Sequence, residues 1–434
     1  MIQRICWSLI FLAVVESQAL AESQVLAESA AAINSGDTAW VLLCAGMVGL
    51  MTPGLACFYA GLVRAKNVLS TLCHSFFCMG LVTVIWITLG YSLSFSHGTL
   101  FIGGFDYFML AGVGEEPLDG TTIPHSVFMI FQLMFAIITP AIISGAFAER
   151  IKFSAFVAFT TIWSLVVYAP ICHWVWGPGG WIGALGALDF AGGTVVHISS
   201  GTAALAMAMV LGPRIGVSER PASSPHNLPL TLLGVGLLWF GWFGFNAGSA
   251  LAADGIAANA FVTTQIGAAS AMVAWYALEK LNHGRSTAIG IASSAIAGLV
   301  AITPACGFVG PASACAIGFV AAIVCFHGVE IKRLLKLDDS LDAFGIHAIG
   351  GAWGALATGL FAVAALAGTS GLFEGGNVSL VGVQLLSIGV IALYSFAMTY
   401  GIARILDRSM GLRVTQTDEI NGLDLRDGET GYAI

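Results

Sequence analysis

The segment DFAGGTVVHISSG, residues 189–201, places an aspartate at the edge of a long apolar run and a histidine about two helical turns inside it. An ionisable side chain within an apolar membrane segment is costly and indicates a functional position. Asp189 precedes the predicted helix, so we expect its carboxylate to cap the free amides of the first turn and to hold nearby carbonyls in position. The position of His197 has to be explained by the rest of the chain.

The composition is that of an integral membrane protein. Of the 434 residues, 57% are hydrophobic and 9% are charged, and the mean hydropathy is +0.89. Soluble domains carry about 25% charged residues. The 54 glycines are typical of membrane helices that approach one another closely. The formal net charge of −8 arises mainly from loops and an acidic tail, and nothing in it indicates nucleic-acid binding.

The N-terminus has the pattern of a secretory signal. The stretch MIQRICWSLIFLAVVESQALAES contains one basic residue, an apolar core of about eleven residues and the small-residue pattern Ala19-Leu20-Ala21. We therefore predict a cleaved signal peptide over residues 1–21 and an N-terminal periplasmic segment over residues 22–36. The alternative is a short first membrane anchor, although polar Ser-Gln follows the apolar run at once.

The sequence predicts a transmembrane domain over residues 37–408. It contains eleven apolar segments of the roughly 20 residues needed to cross a bilayer, centred near 50, 81, 135, 162, 202, 239, 268, 294, 318, 354 and 394. Lys and Arg fall in alternate loops and in or near the tail: Arg64, Lys66, Arg150, Lys152, Arg214, Arg220, Lys280, Arg285, Lys332, Arg333, Lys336, Arg404, Arg408, Arg413 and Arg426. Because cytoplasmic loops accumulate these residues, the pattern predicts an inner-membrane protein with its N-terminus outside and the tail, residues 409–434, in the cytoplasm.

An odd number of spans favours an inverted repeat. Two halves of five helices then run in opposite directions, so we predict an all-α membrane fold with two inverted five-helix repeats and a final helix. DFAGGTVVH opens the fifth span and DAFGIH, which begins at Asp342, opens the tenth. The two segments bring His197 and His347 toward the middle from opposite sides, where two neutral imidazoles can share a hydrogen bond without burying a net charge.

Other polar residues have simpler interpretations. His74, His173 and His327 lie near span ends, and we expect them to bond backbone carbonyls. No third ligand lies near His197 or His347 at a spacing suited to a metal, and no cofactor motif is present. The cysteines after the signal peptide are expected to be small core residues; they are Cys44, Cys57, Cys73, Cys78, Cys172, Cys306, Cys315 and Cys325.

Several long motifs occur in a fixed order along the chain. They are GLVRAKNVLS, GAFAERIKFSA, ALDFAGGTVVHI, PHNLPL, GWFGFNAGSA, AITPACGF and DDSLDAFGIHAIGG. With them the sequence resembles the ammonium transporter (Amt/Mep/Rh) family, on its bacterial Amt branch. The resemblance implies an outer ammonium site of Trp176, Phe135 and Ser249, in which an aromatic face attracts the cation. It also implies a hydrophobic gate of Phe135 and Phe245, with His197 and His347 lining the pore below.

The resemblance further implies a homotrimer in membrane lipid, with one pore for ammonium or ammonia in each protomer and a cytoplasmic regulatory tail that meets a PII-type protein. A sensor that signals through a separate partner is the alternative function. The tail after the last span has only about 25 residues, which is too short for a signalling domain. An enzyme is disfavoured, because nucleophile, metal and nucleotide motifs are absent outside the pore residues.

Overall fold

A computed structural model describes residues 32–216, 225–428 and 431 of the chain, apart from the side chain of Arg333. The predicted signal peptide, residues 1–21, lies outside the described residues. Within them the regular structure is helical, and β-type pairing is limited to isolated bridges such as that between Ile151 and Arg413. The all-α prediction is therefore confirmed for this part of the chain.

Ten helices of the described chain are long and apolar enough to cross a membrane. We label them, in chain order and with α8 reserved for a shorter helix, α1 Ser35–Leu62, α2 Ala65–Phe95, α3 His125–Phe147, α4 Phe153–Ala184, α5 Gly193–Leu211, α6 Leu228–Ala250, α7 Gly255–His283, α9 Pro311–Lys332, α10 Phe344–Phe361 and α11 Val378–Met410. Each coincides with an apolar segment predicted from the sequence.

The eighth predicted segment differs from the others in length. Helix α8, Ala288–Ile302, has 15 residues. At a rise of about 1.5 Å per residue it extends roughly 22 Å, which is less than the hydrocarbon thickness of about 30 Å. Its C-terminal two turns, residues 294–302, are buried in the bundle, and the chain continues as a buried turn containing Pro304. Packing against neighbouring helices, and not contact with lipid, therefore sets the length of α8.

Helices α1 and α6 cross at very short distance. A Cβ atom added at Gly234 would overlap the backbone nitrogen of Phe58, and one added at Gly61 would overlap the hydroxyl of Thr231. Such close contact is the means by which membrane helices associate without a hydrophobic force between them. Packing of this kind explains part of the high glycine content, since other glycines have open space where a Cβ atom would be.

The cysteines do not all lie in the core, as the sequence had suggested. Cys44, Cys78, Cys172, Cys306 and Cys325 are buried, whereas Cys57 is half-buried. Cys73 and Cys315 are exposed on the surface of the bundle, so the prediction is wrong for these two. The physical reason is that a lipid-facing surface accommodates a small apolar side chain as readily as the interior does.

The tail packs against the loops that carry the basic residues. Leu412 and Val414 pair with the loop between α3 and α4, because the Lys152 amide donates to Leu412 and the Val414 amide donates to Arg150. Two short helices follow, α12 Gln416–Asn421 and α13 Leu423–Arg426. The carboxylate of Asp424 accepts the amides at the start of α2, those of Leu69 and Ser70. The tail thus covers one end of the bundle, which we call the basic face.

Candidate functional site

The structure brings three of the predicted site residues to one cavity near the end of the bundle opposite the basic face. Phe135 on α3, Trp176 on α4 and Ser249 at the end of α6 line a cavity of about 310 Å³, which we call the outer cavity. The indole nitrogen of Trp176 donates to the backbone oxygen of Asp189 at 2.9 Å. This bond fixes the plane of the indole, and the aromatic face that remains can attract a cation.

Ser249 supplies an acceptor in this cavity. It lies in the single 3₁₀ turn that ends α6, and its hydroxyl donates to the backbone oxygen of Phe245 at 2.8 Å. A hydroxyl has one donor and two acceptor positions. Since its hydrogen is already used within the helix, the oxygen of Ser249 faces a ligand as an acceptor only.

Two phenyl rings close the bottom of the outer cavity. Phe135 and Phe245 are fully buried, and their ring centroids are 4.3 Å apart at an interplanar angle of 40°. Phe135 also makes an edge-to-face contact with Trp176, with centroids 5.9 Å apart. The cavity floor is therefore a pair of rings in contact, and a hydrated ion cannot pass unless both rings move.

Below the rings lies an enclosed cavity of about 20 Å³ that contains His197 and His347, which we call the histidine cavity. The remaining lining is apolar and includes Leu238, Trp242 and Ile296. A space of 10–15 Å³ accommodates about one water molecule. The histidine cavity therefore has room for a single small neutral molecule and none for a hydration shell.

The two imidazoles contact each other directly. Their Nδ1 atoms are 3.2 Å apart, a distance at which one nitrogen donates and the other accepts. The ring of His197 also stacks on Trp242, with centroids 5.5 Å apart, and on Phe245, with centroids 6.0 Å apart. Its Nε2 atom is buried and has no hydrogen-bond partner within the described part of the chain. A molecule in the histidine cavity can therefore meet an imidazole nitrogen that is not otherwise used.

Asp189 connects the outer cavity to the histidine pair. Its carboxylate accepts hydrogen bonds from the amides of Gly192, Gly193, Thr194 and Val195 and from the Thr194 hydroxyl, at 2.5–3.2 Å. These amides belong to the π-helical turn Gly193–Ile198 that carries His197, and to the glycine immediately before it. One aspartate thus holds the start of α5 through its side chain and Trp176 through its backbone.

A second aspartate, Asp339, lies before His347 as Asp189 lies before His197. It is not the aspartate that the similarity of the two motifs had suggested. The carboxylate of Asp339 accepts the amide of Phe344 at 2.7 Å, at the start of the π-helical turn Phe344–Ala348. Asp339 precedes His347 by the same eight positions that separate Asp189 from His197. Asp342, which the sequence comparison had aligned with Asp189, instead pairs with Lys332 and has a positive φ of 61°.

The three other histidines that the sequence analysis considered, His74, His173 and His327, have different environments. His173 contacts the backbone oxygens of Ser94 and Thr99 at 3.0 and 2.9 Å, so the expected carbonyl bonds are present. His74 instead packs among phenylalanine rings, the nearest of which is that of Phe156 at 4.6 Å between centroids. His327 lies edge-on to Phe326. Across the described residues, no group of three or more His, Cys, Asp and Glu side chains is arranged to hold a metal ion.

A buried ion network at the basic face was missed by sequence reasoning. Glu149 accepts from Arg64 and Arg214 at 2.8 and 2.6 Å, and Arg214 also pairs with Asp338. Burial opposes the charge of Glu149, but Arg214 and Arg64 outweigh it and lower the pKa of its carboxyl. The motif GAFAERIKFSA contains Glu149, whose φ of 71° is rare outside glycine and was not apparent from the sequence.

At the same face, the pKa of the Asp339 carboxyl is shifted in the direction opposite to that of Glu149. Burial raises the pKa of its carboxyl to about 6, although Lys332 acts in the other direction. Oδ1 of Asp339 has no hydrogen-bond partner among the residues that the structure describes. The two capping aspartates therefore differ, because Asp189 is fully hydrogen-bonded and Asp339 is not.

A bundle of membrane-length helices with two cavities on either side of an aromatic barrier defines a membrane transport protein with a narrow, largely apolar path. The chain belongs to the Ammonium Transporter Family, whose sequence model matches residues 39–432.

Similar proteins from bacteria, archaea and fungi support this family assignment. The ammonium transporter of Bacillus subtilis is 52% identical over 92% of this chain and 99% of the relative. Ammonium transporter Amt1 of Archaeoglobus fulgidus is 46% identical over 92% of this chain and 99% of the relative. The crystal structure of Mep2 from Candida albicans superposes with a TM-score of 0.84 at 36% identity, covering 89% of this chain and 88% of the other. A structure described as a sensor Amt protein superposes with a TM-score of 0.84 at 32% identity, covering 90% of this chain and 98% of the other.

Proposed function

We propose that this protein transports ammonium across the inner membrane by recruiting the cation in the outer cavity, removing its proton and passing neutral ammonia to the histidine cavity. The observation that carries the proposal is the sequence of environments along one path. Trp176 and Ser249 provide a cation-binding face and an acceptor, and Phe135 and Phe245 close the path beneath them. Beyond these rings lies a cavity with room for about one small molecule.

We propose that ammonium loses its proton because the passage of the intact cation through an apolar interior has a high energetic cost. Transfer of an intact cation into an apolar interior has an idealised desolvation penalty of order 20 kcal/mol. Ammonia avoids most of this penalty, whereas potassium has no proton to lose. An apolar path of this size therefore selects ammonium over alkali cations by chemistry and not by diameter.

The proton is proposed to travel through the histidine pair. With one Nδ1 donating and the other accepting, a proton delivered to one ring can be matched by release from the other. Each transfer forms one N–H bond and breaks another, so the pair returns to a neutral state. Charge and ammonia then cross together, which makes the net transported species ammonium.

Current and uptake measured together in proteoliposomes test the proposed function. An inward ammonium gradient should produce a current, and potassium at the same concentration should produce none. If ammonium entered the vesicles without any current, the proton relay would be wrong. If neither current nor uptake occurred in folded protein, transport itself would be wrong.

A sensor is the second candidate function. The similarity to the sensor Amt protein favours it, because the same fold serves sensing there. A sensor would bind ammonium in the outer cavity and change its contacts at the basic face without conducting. Ammonium binding by purified protein that fails to conduct in proteoliposomes would support this alternative.

The basic face is proposed to be cytoplasmic. The support is the one-sided distribution of Lys and Arg, together with the tail that packs against the same loops. A reporter fused after Arg413 is expected to show a cytoplasmic location. A periplasmic signal from this fusion would reverse the topology and remove the basis for the inverted repeat.

Assembly as a homotrimer is proposed from the family resemblance and from exposed apolar side chains on α6 and α7. Leu233, Phe240, Val262 and Val273 are exposed on the isolated chain. Exposed apolar side chains on membrane helices face lipid or another subunit. Mass measurement of the detergent-solubilised protein is expected to give three copies, and a monomer would contradict the proposal.

The tail is proposed to couple the pore to a PII-type protein. Glu419 pairs with Arg413 and accepts the amide of Ile215, and Asp424 holds the start of α2, so the tail contacts both α2 and the loop between α5 and α6. Deletion of residues 409–434 is expected to abolish PII binding and to reduce transport several-fold. Unchanged PII binding and transport in membranes that contain the truncated protein would contradict this role.

A further inference from the structure

Gln132 lies on the cavity face of α3. It is one helical turn from Phe128 on one side and from Phe135 on the other, and all three line the outer cavity. Only 9% of Gln132 is exposed. An amide group placed between phenyl rings in a membrane helix is costly unless it serves as a donor or an acceptor.

The carbonyl oxygen of Gln132 is not used within the protein. Its Oε1 atom is buried and accepts no hydrogen bond from any residue that the structure describes. Gln384, which is also a buried glutamine, shows the usual arrangement: its Oε1 accepts the Leu188 amide and its Nε2 donates to the oxygens of Leu188 and Ala355. Gln132 therefore differs from a structural glutamine in the same bundle.

The outer cavity is otherwise poor in acceptors. Trp176, Ser249 and Gln132 are the only described lining residues with polar side-chain atoms. The indole of Trp176 is a donor only and is already bonded to Asp189. An ammonium ion has four N–H groups, and without Gln132 it would find a single side-chain acceptor, the oxygen of Ser249.

The terminal amide of glutamine is free to turn. Rotation about χ3 has a broad, roughly two-fold profile, so the oxygen and nitrogen of the amide exchange positions at little cost. Because Oε1 of Gln132 has no donor where it stands, this rotation breaks none of the hydrogen bonds of that oxygen. The carbonyl can therefore be presented to a cation in the outer cavity.

We propose that the side-chain carbonyl of Gln132 accepts a hydrogen bond from ammonium in the outer cavity and acts with Ser249 as a substrate-binding acceptor. The inference rests on the proposed function. It concerns recruitment of the cation, which precedes loss of the proton, so Gln132 affects the ammonium concentration at half-maximal current and leaves the maximal current nearly unchanged. Methylammonium has one N–H fewer, so its affinity depends less on this second acceptor.

The substitution Gln132→Met tests the proposal, because methionine has a similar length and volume but lacks the amide. We expect the KM for ammonium current in proteoliposomes to rise about tenfold, as for the loss of a hydrogen bond to a charged group, with the maximal current within about twofold. Gln132→Glu keeps an acceptor oxygen and should have a KM at or below that of the unmodified protein. Gln265→Met is the matched control, since Gln265 bonds Trp239 on the exposed surface.

The outcomes separate this inference from the proposed function. An unchanged KM in Gln132→Met, together with a raised KM in Ser249→Ala, would overturn the role of Gln132 and leave the outer site in place. A raised KM in both the Met and the Glu variants would mean that shape, and not an acceptor, matters at this position. Unchanged KM values in Trp176→Leu and Ser249→Ala would instead contradict the outer site itself. If Gln132→Met is not recovered folded, Gln132→Leu provides the same test, because leucine also lacks the carbonyl acceptor, and an unchanged KM there would overturn the inference.

Discussion

Replacement of His347 with leucine is expected to reduce the ammonium-driven current roughly 100-fold, which is the usual contribution of a positioned proton-transfer group. Leucine is apolar and of similar size, so the histidine cavity stays closed to water while the contact between the two Nδ1 atoms is lost. Ammonia permeation should fall much less, because a neutral molecule needs no proton path. Current recorded on a solid-supported membrane, beside the change in internal pH of vesicles, separates the two quantities.

Two further variants make this result specific. His327→Leu is the control, because His327 lies on α9 beside Phe326 and does not line the histidine cavity; its current should match that of the unmodified protein. His197→Asp places a fixed carboxylate in the cavity and should weaken discrimination against potassium. A full ammonium current in His347→Leu would require another proton path, and the histidines would then be structural lining.

Replacement of Asp189 with alanine is expected to destabilise the protein by at least about 3 kcal/mol and to abolish transport. Five hydrogen bonds to the carboxylate are lost, and each bond to a charged acceptor contributes about 1.5–3 kcal/mol. The amides left behind are buried at the start of α5, where water cannot replace the carboxylate. Thermal unfolding of the purified protein and the transport assay measure the two effects separately.

Asp254→Ala is the matched control for this prediction. Asp254 caps α7 through a single accepted bond, from the amide of Ala257 at 2.9 Å, at an exposed helix end. Loss of such a cap costs about 1 kcal/mol. Equal destabilisation by the two substitutions would show that Asp189 is an ordinary cap, and retained transport in Asp189→Ala would remove it from the outer site.

The sequence determined the class of fold because each span is a local property. About 20 apolar residues must follow one another wherever a helix crosses lipid, so hydropathy alone located α1 through α11. The motifs around His197 and His347 identified the family for a similar reason, since each motif is continuous in sequence. Trp176, Phe135, Phe245 and Ser249 came from that resemblance; in the structure Trp176, Phe135 and Ser249 line the outer cavity, and Phe245 contacts Phe135.

Only the tertiary structure decided the features that depend on neighbours. Helix α8 is short because other helices surround it. Asp339, and not Asp342, caps the turn that carries His347, because the π-helical turn begins at Phe344 and sets which carboxylate reaches its amides. The free oxygen of Gln132 is equally invisible in FQLMF, since an unused hydrogen-bond acceptor is recognised only after every possible donor has been located in space. Composition and periodicity report what one segment needs from the membrane, whereas hydrogen bonding and burial are set by segments far apart in the chain.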